Sequence, residues 1–560
     1  MDEANNWRVE PDEIATHLIN YHKELFTSFN PTTQGAALSH IPTVITEHMN
    51  ATLIAPFHGD KVKDALKQMA SLKALGPDGM PPLFYQHFWG VVNNDLTSTV
   101  LLWLNSGTLP YSLNHTFITL IPKTNNPEYV TQYHPISLCN VLYKIFSKVL
   151  ANRLKKILPT IISEHQSTFA KNRLILVNIL VAFESLNSME NMSTGKTGYM
   201  AIKLDMSKAY NRVEWGYLEN VMRKMGFNER WIGLIMVCVK TVTYSIMVNG
   251  EPQGLIHPTR GIRQGDPLSP FLFLLCTEGL HGLIQHAASM GEIKGFSLCR
   301  RGPALTHLLF ADDSLLFCRA MEEECRKIID ILETYKGESR QKVNKNKTAK
   351  FISKSTDEAT KQDIKVALGL QEIVHFEQYL GLPSLVGRRK KEGFNFIKEK
   401  IWRKLQGWEG KLLSQARREV LIKATIQAIP TYAMGCFKLP LGLCHENETA
   451  IKKFWRSQKG EKRKIHWVKW DELTKSKLEG STGFRDIVMF NDSLLAKQAW
   501  RLLKNPESLF YKVFKARFFP NCTIMEAKHT NGGSHVWNSI LHGRMSYLGA
   551  VVGRLGMARQ

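Results

Sequence analysis

The stretch Ala304–Ala320, ALTHLLFADDSLLFCRA, decides the fold of the chain around it. Two short apolar runs, 308–311 and 315–318, flank the adjacent acidic residues Asp312 and Asp313. Runs this short and this rich in leucine and phenylalanine predict two buried strands joined by a tight hairpin. The two carboxylates would repel each other, and a hard divalent cation such as Mg²⁺ would relieve that repulsion. A solvent-exposed acidic turn without a ligand is the alternative.

A third carboxylate ends a second predicted strand, Tyr199–Asp205 (YMAIKLD). Period-2 alternation places the apolar residues 200, 202 and 204 on one face and Asp205 on the other. The apolar positions of 215–225 recur at helical spacing, which predicts a helix packed on this sheet and ended by Gly226. Three carboxylates at strand ends suit nucleotidyl transfer, in which two metal ions about 3.5–4 Å apart clamp the attacking and leaving oxygens.

Other segments have clear periodic patterns. We expect an amphipathic helix over 59–75, helical structure over 83–104 and a strand over 117–121. Residues 242–262 are typical of a hairpin, with the two-residue turn signal Asn249-Gly250.

The loop RGIRQGDPLSP, residues 260–270, follows that hairpin. Gly265 lets the backbone approach a ligand closely, and Gln264 offers a side chain that can both donate and accept a hydrogen bond. We expect Ser269 to act as the N-cap of a buried helix that continues through Leu283.

Composition narrows the class of protein. The 560 residues predict two to four subdomains, and 73 Lys+Arg against 50 Asp+Glu leave a net charge of +23, which favours a nucleic-acid partner. Residues 386–420 are locally basic, with eleven Lys/Arg against four Glu. The nine cysteines show no metal-binding spacing and indicate free thiols. No apolar run is long enough for a membrane span, so we expect no membrane partner and an intracellular, soluble protein.

Several stretches together resemble a known family. KLDMSKAYNRVEW, RGIRQGDPLSP and LLFADDSLLF, in that order and spacing, resemble the palm motifs of the reverse transcriptase of plant LINE-type non-LTR retrotransposons. GPDGMPPLFYQHFW, SEHQSTFAKNR and QYLGLP resemble its flanking blocks, and the likeness spans roughly residues 60–520. Several independent blocks in the correct order make a chance match very improbable.

The resemblance implies an RNA-directed DNA polymerase with two Mg²⁺ ions, an RNA template, a DNA primer and deoxynucleoside triphosphates. Tyr210 corresponds to the steric gate that excludes the 2′-hydroxyl, and Lys347 to a lysine that protonates pyrophosphate. Gln264 and Gly265 correspond to a loop that supports the template and the nascent base pair, and Arg173 is assigned to substrate binding. The residues assigned to metal binding and catalysis are Asp205, Asp312, Asp313 and, for catalysis alone, Lys347.

Four residues depart from the family pattern. Asn211 stands where the family usually has Asp, His134 where it has Arg, Asn172 where it has Gly, and Val177 where it has Asp. None of these changes removes a predicted metal ligand. His134 would be largely neutral at pH 7 and would weaken a contact to template or triphosphate.

The resemblance implies an α+β right-hand polymerase with fingers, a palm built on an antiparallel sheet, a helical thumb and a helical C-terminal extension. We expect an N-terminal extension over 1–58, fingers and palm over 59–385, a basic helical thumb over 386–450 and a helical region over 451–560. The chain is expected to be part of a longer polyprotein without its endonuclease. A location in the nucleus is implied only by the resemblance to this family.

Three alternatives stay open. A catalytically inactive remnant that only binds nucleic acid would fit the four departures. An RNA-dependent RNA polymerase is disfavoured because Tyr210 would obstruct a ribonucleotide and because Ala311, rather than glycine, precedes the aspartates. A purely structural interaction protein would leave three strand-end carboxylates and the basic charge without a reason.

Overall fold

The structure is a computed structural model that describes residues 7–28, 35–192, 198–344, 347–368, 378–387, 389–408, 411, 413–456, 468–529 and 533–557, with only the backbone for 547–557. It has mixed α+β architecture. The strands are β1 (His115–Pro122), β2 (Tyr133–Cys139), β3 (Tyr199–Asp205), β4 (Thr243–Val248), β5 (Glu251–Ile256), β6 (His307–Phe310), β7 (Asp313–Arg319), β8 (Ala349–Ile352), β9 (Gln378–Tyr379) and β10 (Leu382–Pro383).

Helices surround these strands and make up most of the C-terminal half. They are α1 (Pro11–Leu25), α2 (Ala36–Ser39), α3 (Glu47–Ile54), α4 (Gly59–Lys67), α5 (Pro82–His87), α6 (Trp89–Ser106), α7 (Val141–Leu154), α8 (Leu158–Ile161), α9 (Ile175–Glu190), α10 (Trp215–Met225), α11 (Glu229–Lys240), α12 (Ser269–Ser289), α13 (Glu322–Ser339), α14 (Glu358–Leu368), α15 (Lys390–Gly393), α16 (Asn395–Trp408), α17 (Gln415–Leu421), α18 (Thr431–Met434), α19 (Leu441–Trp455), α20 (Trp470–Thr474), α21 (Ile487–Lys504), α22 (Leu509–Phe518) and α23 (His535–Met557).

The predicted acidic hairpin lies in a four-stranded sheet of order β6-β7-β3-β8, which we call the hairpin sheet. All its pairings are antiparallel. Strand β3 has the predicted bounds, and its even-numbered apolar residues are buried in one core cluster, whereas Ala201 lies in a second cluster on the opposite face. Both faces of this strand are therefore covered by apolar residues, and Asp205 and Asp313 lie at strand ends of the sheet.

A second sheet, of order β2-β1-β4-β5, lies nearby and is called the N-terminal sheet. Its strands β1 and β4 run parallel, and the other two pairings are antiparallel. The turn between β4 and β5 has φ +52° at Asn249 and +90° at Gly250, as a type I′ turn requires, so the predicted hairpin is confirmed. The ring of Phe26, after α1, packs 4.8 Å from Tyr244 and covers one side of this sheet.

Two predictions about helix ends were wrong. Helix α4 ends at Lys67 rather than at residue 75, and Leu72 is 83% exposed. The side-chain amide of Gln86 donates to the carbonyls of Leu66 and Met69, which satisfies groups that a continuing helix would bond internally. Helix α12 starts at Ser269 without a side-chain cap from that residue.

Asp266 supplies a bond at the start of α12 instead. Its Oδ1 atom accepts a 2.8 Å hydrogen bond from the backbone N–H of Leu268, the residue that flanks the first helical turn. Ser269 is therefore the first residue inside the helix rather than the residue before it.

A large second core joins the hairpin sheet to the C-terminal helices. It runs from α9, β6 and β7 to α16, α19, α21, α22 and α23. Trp537 is fully buried there and stacks 4.4 Å from the ring of Phe518. The Arg517 guanidinium also donates to the Leu298 carbonyl at 2.7 Å, so residues far apart in sequence form one packed unit.

Across the described ranges, the helices are all too short or too polar to span a lipid bilayer.

Glu278 on α12 is 7% exposed and accepts a 3.2 Å bond from the backbone N–H of Ser163. Burial raises its pKa to about 8, against about 4.3 for an exposed glutamate. The folded state therefore keeps a proton that the unfolded chain releases, so this group stabilises the fold at low pH and loses that contribution as pH rises to about 8.

We expect Glu278→Gln to raise the melting temperature by about 2–4 °C at pH 8 and to leave it nearly unchanged at pH 4.5. The amide keeps the acceptor oxygen and needs no proton. Thermal unfolding followed by circular dichroism at both pH values measures the difference, with the exposed Glu323→Gln as control. An equal shift at both pH values would contradict the assignment.

Candidate active site

The acidic hairpin turns within two residues. Phe310 pairs with Asp313 across β6 and β7, which leaves Ala311 and Asp312 as the turn, and Ala311 adopts φ +53°. Asp313 is therefore the first residue of β7 rather than part of the turn. Asp205 is the direct cross-strand partner of Asp313 in the β3–β7 pairing. The structure thus brings all three predicted carboxylates to one end of the hairpin sheet.

These carboxylates lie in surroundings that disfavour their charge. Burial first, and then the charge of Asp312, raises the pKa of Asp313 to about 6. Burial and the charge of Asp205 also raise the pKa of Asp312. Half-buried carboxylates that repel one another are the donor set that a hard divalent cation stabilises.

Lys347 lies beside this acidic group. Its Nζ atom is 3.3 Å from Oδ2 of Asp205, and its side chain is 66% exposed. Asn344 holds the same aspartate through a 2.8 Å bond from its N–H to the Asp205 carbonyl. The predicted lysine is thus near the predicted metal ligands, on an exposed side chain that can move.

Basic side chains from both sheets lie near the acidic end of the hairpin sheet: Lys123 follows β1, His134 lies on β2 and Lys208 follows β3. Lys208, three residues after β3, donates to the Tyr133 carbonyl at 3.2 Å. Burial and the charge of Lys123 lower the pKa of Lys208 to about 8. The pKa of His134 is lowered by its partial burial and by Lys123, Lys208 and Lys347. Several basic groups therefore lie close enough to affect one another's pKa. The sequence motifs did not single out Lys123 or Lys208 as site residues.

Tyr210 lies beside Asp312 with its ring stacked on Phe273. The ring centroids are 5.0 Å apart and the planes differ by 10°. Burial and the charge of Asp312 raise the pKa of the Tyr210 hydroxyl. The backbone carbonyl of Tyr210 accepts a 2.8 Å bond from Ile262, which fixes the residue from the loop side. The aromatic ring therefore lies at a defined position beside the carboxylates.

The loop of Gln264 and Gly265 packs against strand β2. The Gln264 carbonyl accepts a 2.9 Å bond from the N–H of Ser137. Gly265 has φ +115°, and a Cβ there would lie 3.0 Å from the Ser137 carbonyl oxygen, so only glycine fits without strain.

This loop also contains a buried ion pair that was not predicted from the sequence. Arg263 and Asp266 are 2.9 Å apart, and both side chains are at most 4% exposed. The Arg263 guanidinium lies 3.9 Å from the centre of the Tyr143 ring, and the Tyr143 hydroxyl donates to Asp266. The sequence signal for this ion pair is that Arg263 and Asp266 are opposite charges three residues apart, with Gln264 between them.

Arg173 lies behind the hairpin, and the hydrogen bonds of its side chain go to the backbone of residues 159–166. Its guanidinium donates to four backbone carbonyls, those of Pro159, Ile162, Ser163 and Gln166. The Gln166 side chain in turn accepts a 3.2 Å bond from the N–H of Ala311 in the acidic turn. In the structure Arg173 therefore positions the hairpin through Gln166, and its assignment to substrate binding stays a prediction.

Asn178 braces the same hairpin. Its amide donates to the Leu309 carbonyl at 3.0 Å, and its oxygen accepts a 2.8 Å bond from the Tyr379 hydroxyl. Asn172, where the family usually has glycine, adopts φ +67°, a conformation that asparagine tolerates better than most residues. This departure therefore keeps the backbone shape.

Three histidines behind the hairpin were also missed, because they are far apart in sequence. His165, His281 and His307 each offer a ring nitrogen, and these nitrogens lie within 4.8 Å of one another. Burial lowers the pKa of all three, to about 3 for His281, so the imidazoles are neutral at pH 7.

A family comparison agrees with this geometry. Residues 121–394 match the family model described as reverse transcriptase (RNA-dependent DNA polymerase). The matched range contains the hairpin sheet, the loop of Gln264 and the basic residues of the N-terminal sheet.

Curated relatives point the same way. An uncharacterised mitochondrial protein of Arabidopsis thaliana is 44% identical over 118 residues, which are 21% of this chain and 77% of the relative. A 149 kDa transposon protein of Xenopus laevis is 23% identical over 435 residues, which are 76% of this chain and 32% of the relative. A retrovirus-related Pol polyprotein from a type-1 retrotransposable element of Popillia japonica is 28% identical over 218 residues, 39% of this chain and 29% of the relative. The chain thus spans about a third or less of the length of these last two relatives.

Proposed function

The chain belongs to the reverse transcriptase (RNA-dependent DNA polymerase) family, and from this premise we propose that the acidic hairpin is the catalytic centre of RNA-templated DNA synthesis. The observation that supports this most is the cross-strand register of Asp205 and Asp313, with Asp312 in the adjoining turn. The proposal covers this region alone, as part of a non-LTR retrotransposon polyprotein.

The carboxylates fit a two-metal site. Asp205 and Asp312 would be the main ligands of two Mg²⁺ ions, with Asp313 as the third acidic group. Bound ions would supply charge neutralisation at the attacking 3′-hydroxyl and at the departing pyrophosphate. Lys347 now pairs with Asp205, so metal binding would free its ammonium group to donate a proton to the pyrophosphate.

The basic group of Lys123, Lys208 and His134 would bind the triphosphate. This group lies near the carboxylates, since Lys123 is within electrostatic reach of Asp205 and all three residues are within electrostatic reach of Lys347. Lys123 and Lys208 repel each other, and an anionic ligand would stabilise both charges by relieving this repulsion.

Tyr210 and the loop of Gln264 would define the substrate's sugar and base. The Tyr210 ring, fixed against Phe273, would crowd a 2′-hydroxyl and so select deoxyribonucleotides. Gln264 and Gly265 would support the template base pair on a loop that the buried Arg263–Asp266 pair holds rigid.

The overall arrangement fits a right-hand polymerase. We assign the N-terminal sheet with its helices to the fingers and the hairpin sheet to the palm. Helices α15–α18 and the first ten residues of α19 form a basic thumb over 386–450, followed by the C-terminal helical region from residue 451. On α16, Trp402 is 58% exposed and has basic neighbours, which suits contact with a nucleic-acid backbone and stacking on bases. RNA template, DNA primer and deoxynucleoside triphosphates would be the partners.

Primer extension tests the proposal. The full chain, a labelled DNA primer on an RNA template and four deoxynucleoside triphosphates should give extended product with Mg²⁺, none with EDTA, and product again when Mg²⁺ is restored in excess. RNA binding measured by fluorescence anisotropy serves as a parallel readout. Tight binding with no extension under any Mg²⁺ concentration would identify a nucleic-acid-binding remnant instead.

Restoring a positive charge at residue 134 tests the triphosphate site. His134 is an exposed residue of β2, and its depressed pKa leaves it neutral at pH 7. We expect His134→Arg to lower the KM for deoxynucleoside triphosphates about 5- to 10-fold, since a charge-assisted contact to phosphate contributes about 1–1.5 kcal/mol. Steady-state extension kinetics measure it.

The matched control is His87→Arg, which adds the same charge at an exposed position of α5. It should leave the KM unchanged. An equal fall in KM for both variants would mean that the effect comes from overall charge and not from a site at residue 134.

A further inference from the structure

The three histidines behind the hairpin come from separate elements. His307 is the first residue of β6, His281 lies in the middle of α12, and His165 precedes the segment that pairs with Leu309 of β6. Backbone bonds join these parts, with the N–H of Leu309 donating to the His165 carbonyl at 2.9 Å. The cluster therefore lies where one strand of the catalytic hairpin meets its supporting helix.

The ring nitrogens of the three histidines lie within 4.8 Å of one another. Nδ1 of His281 is 2.9 Å from Nε2 of His307, and the rings of His165 and His307 stack with centroids 4.4 Å apart. Nδ1 of His165 is buried and has no hydrogen-bond partner in the part of the chain that the structure describes. A buried ring nitrogen without a partner destabilises the folded state unless its lone pair binds a donor or a metal ion, or its N–H binds an acceptor.

The opposite nitrogen of His307 is already held. Thr306 Oγ1 lies 2.9 Å from Nδ1 of His307, whose side chain is fully buried. With a proton on Nδ1 donated to the threonine, Nε2 carries its lone pair toward His281. This is the arrangement that fixes metal-binding histidines in proteins, where the second ring nitrogen donates to a neighbouring oxygen.

We propose that His165, His281 and His307 bind one Zn²⁺ ion that pins strand β6 to α12 and to the segment around residue 166. Three neutral imidazoles plus a water form a tetrahedral nitrogen-rich site, which suits zinc rather than Mg²⁺. Zinc–nitrogen bonds of about 2.0–2.1 Å place the ligands about 3.3 Å apart, so the longest separation in the cluster must contract. His281 would carry its proton on Nε2, which leaves Nδ1 free for the metal.

The site is chemically distinct from the proposed polymerase centre. The proposed catalytic carboxylates lie at the turn between β6 and β7 and at the end of β3, whereas one of the three imidazoles, that of His307, lies at the beginning of β6. Hard oxygen ligands prefer Mg²⁺, whereas imidazoles prefer late first-row transition metals. The two sites can therefore be loaded and tested separately.

Cobalt(II) provides the probe. The full chain is stripped with EDTA and titrated with Co²⁺ in excess Mg²⁺, which occupies the carboxylates. We expect one equivalent of Co²⁺ to produce the intense visible absorption of tetrahedral nitrogen coordination, and one equivalent of Zn²⁺ to abolish it. Zn²⁺ should also raise the melting temperature.

Variants connect the signal to these residues. His281→Gln and His165→Gln should each weaken Co²⁺ binding at least about 100-fold, since loss of a second-shell partner alone accounts for about 10- to 100-fold. His286→Gln, at an exposed position on the same helix, should leave the titration unchanged. Asp312→Asn should lose extension activity and keep the cobalt signal, so failure of one proposal is separable from failure of the other.

Thr306→Val keeps all three rings and removes the bond to His307, and it should weaken binding about 10- to 100-fold. Thr306→Val also tests the proposed site if a histidine variant does not fold. An unchanged Thr306→Val titration, a cobalt signal that survives in both histidine variants, or a wild-type chain that gives no tetrahedral signal would overturn the site.

Discussion

Replacing Asp312 by Asn is expected to lower the rate of primer extension on an RNA template by about 10³-fold or more. The residue lies in the two-residue turn of the hairpin, beside Asp313 and within electrostatic reach of Asp205. Asparagine preserves size but removes an anionic metal ligand. Metal ions contribute several kcal/mol of transition-state stabilisation in such sites, and each 1.36 kcal/mol corresponds to a factor of ten in rate.

The control separates chemistry from folding. Asp330→Asn removes a carboxylate from an exposed position on α13 and should leave extension unchanged. Both variants should bind an RNA–DNA duplex like the wild type, because neither change touches a basic surface. Extension by Asp312→Asn at the wild-type rate would refute the assignment of the hairpin as the catalytic centre.

Replacing Tyr210 by Ala should lower the preference for deoxyribonucleotides over ribonucleotides about 10- to 100-fold. The ring stacks on Phe273 and lies within electrostatic reach of Asp312, so its removal opens space where a 2′-hydroxyl would otherwise meet carbon atoms. Steric exclusion of a small group is typically a matter of about 1–3 kcal/mol. The ratio of kcat/KM for dCTP and CTP measures the change.

Tyr210→Phe is the matched variant. It keeps the ring and its stack but lacks the hydroxyl, so selectivity should stay close to the wild type. A loss of selectivity in both variants would assign the discrimination to the hydroxyl group. A wild-type chain that prefers ribonucleotides would instead support an RNA-dependent RNA polymerase.

The elements around the carboxylates were predictable because their patterns are local. Strand β3 begins and ends where alternation placed it, at Tyr199 and Asp205, and the hairpin of β6 and β7 follows from two apolar runs around an acidic pair. The turn at Asn249-Gly250 was likewise determined by the positive φ that those residues accept. Each of these features depends on neighbours within a few residues.

Features that depend on distant partners were not predictable in this way. Beyond the end of α4, Gln86, nearly twenty residues later in the sequence, donates to the carbonyl of Leu66 in the helix and to that of Met69 after it. The basic group joins Lys123, after β1, to Lys208, after β3, and only the packing of two sheets brings them together. Periodicity carries no information about such pairings, and the same holds for the histidine cluster.

The three carboxylates were predicted from their positions at strand ends, and Lys347 was assigned from the family resemblance. The three carboxylates do meet at one end of the hairpin sheet, and Lys347 lies next to them. Arg173, by contrast, directs its guanidinium to main-chain carbonyls, a use that no sequence motif encodes. The family motif identifies the position of Arg173, but only its hydrogen bonds show which backbone segment the side chain holds in place.

The second core has a consequence for how this region is inherited. Similarity to the family model stops at residue 394, yet the apolar interior continues from β6 and β7 into α22 and α23. A frameshift or a recombination breakpoint after residue 394 would remove Phe437, whose ring lies 5.0 Å from that of Phe183 on α9, and would expose apolar surface of this core. A change that unfolds these C-terminal helices is therefore expected to destabilise the hairpin sheet as well, although the helices lie outside the range that matches the family model.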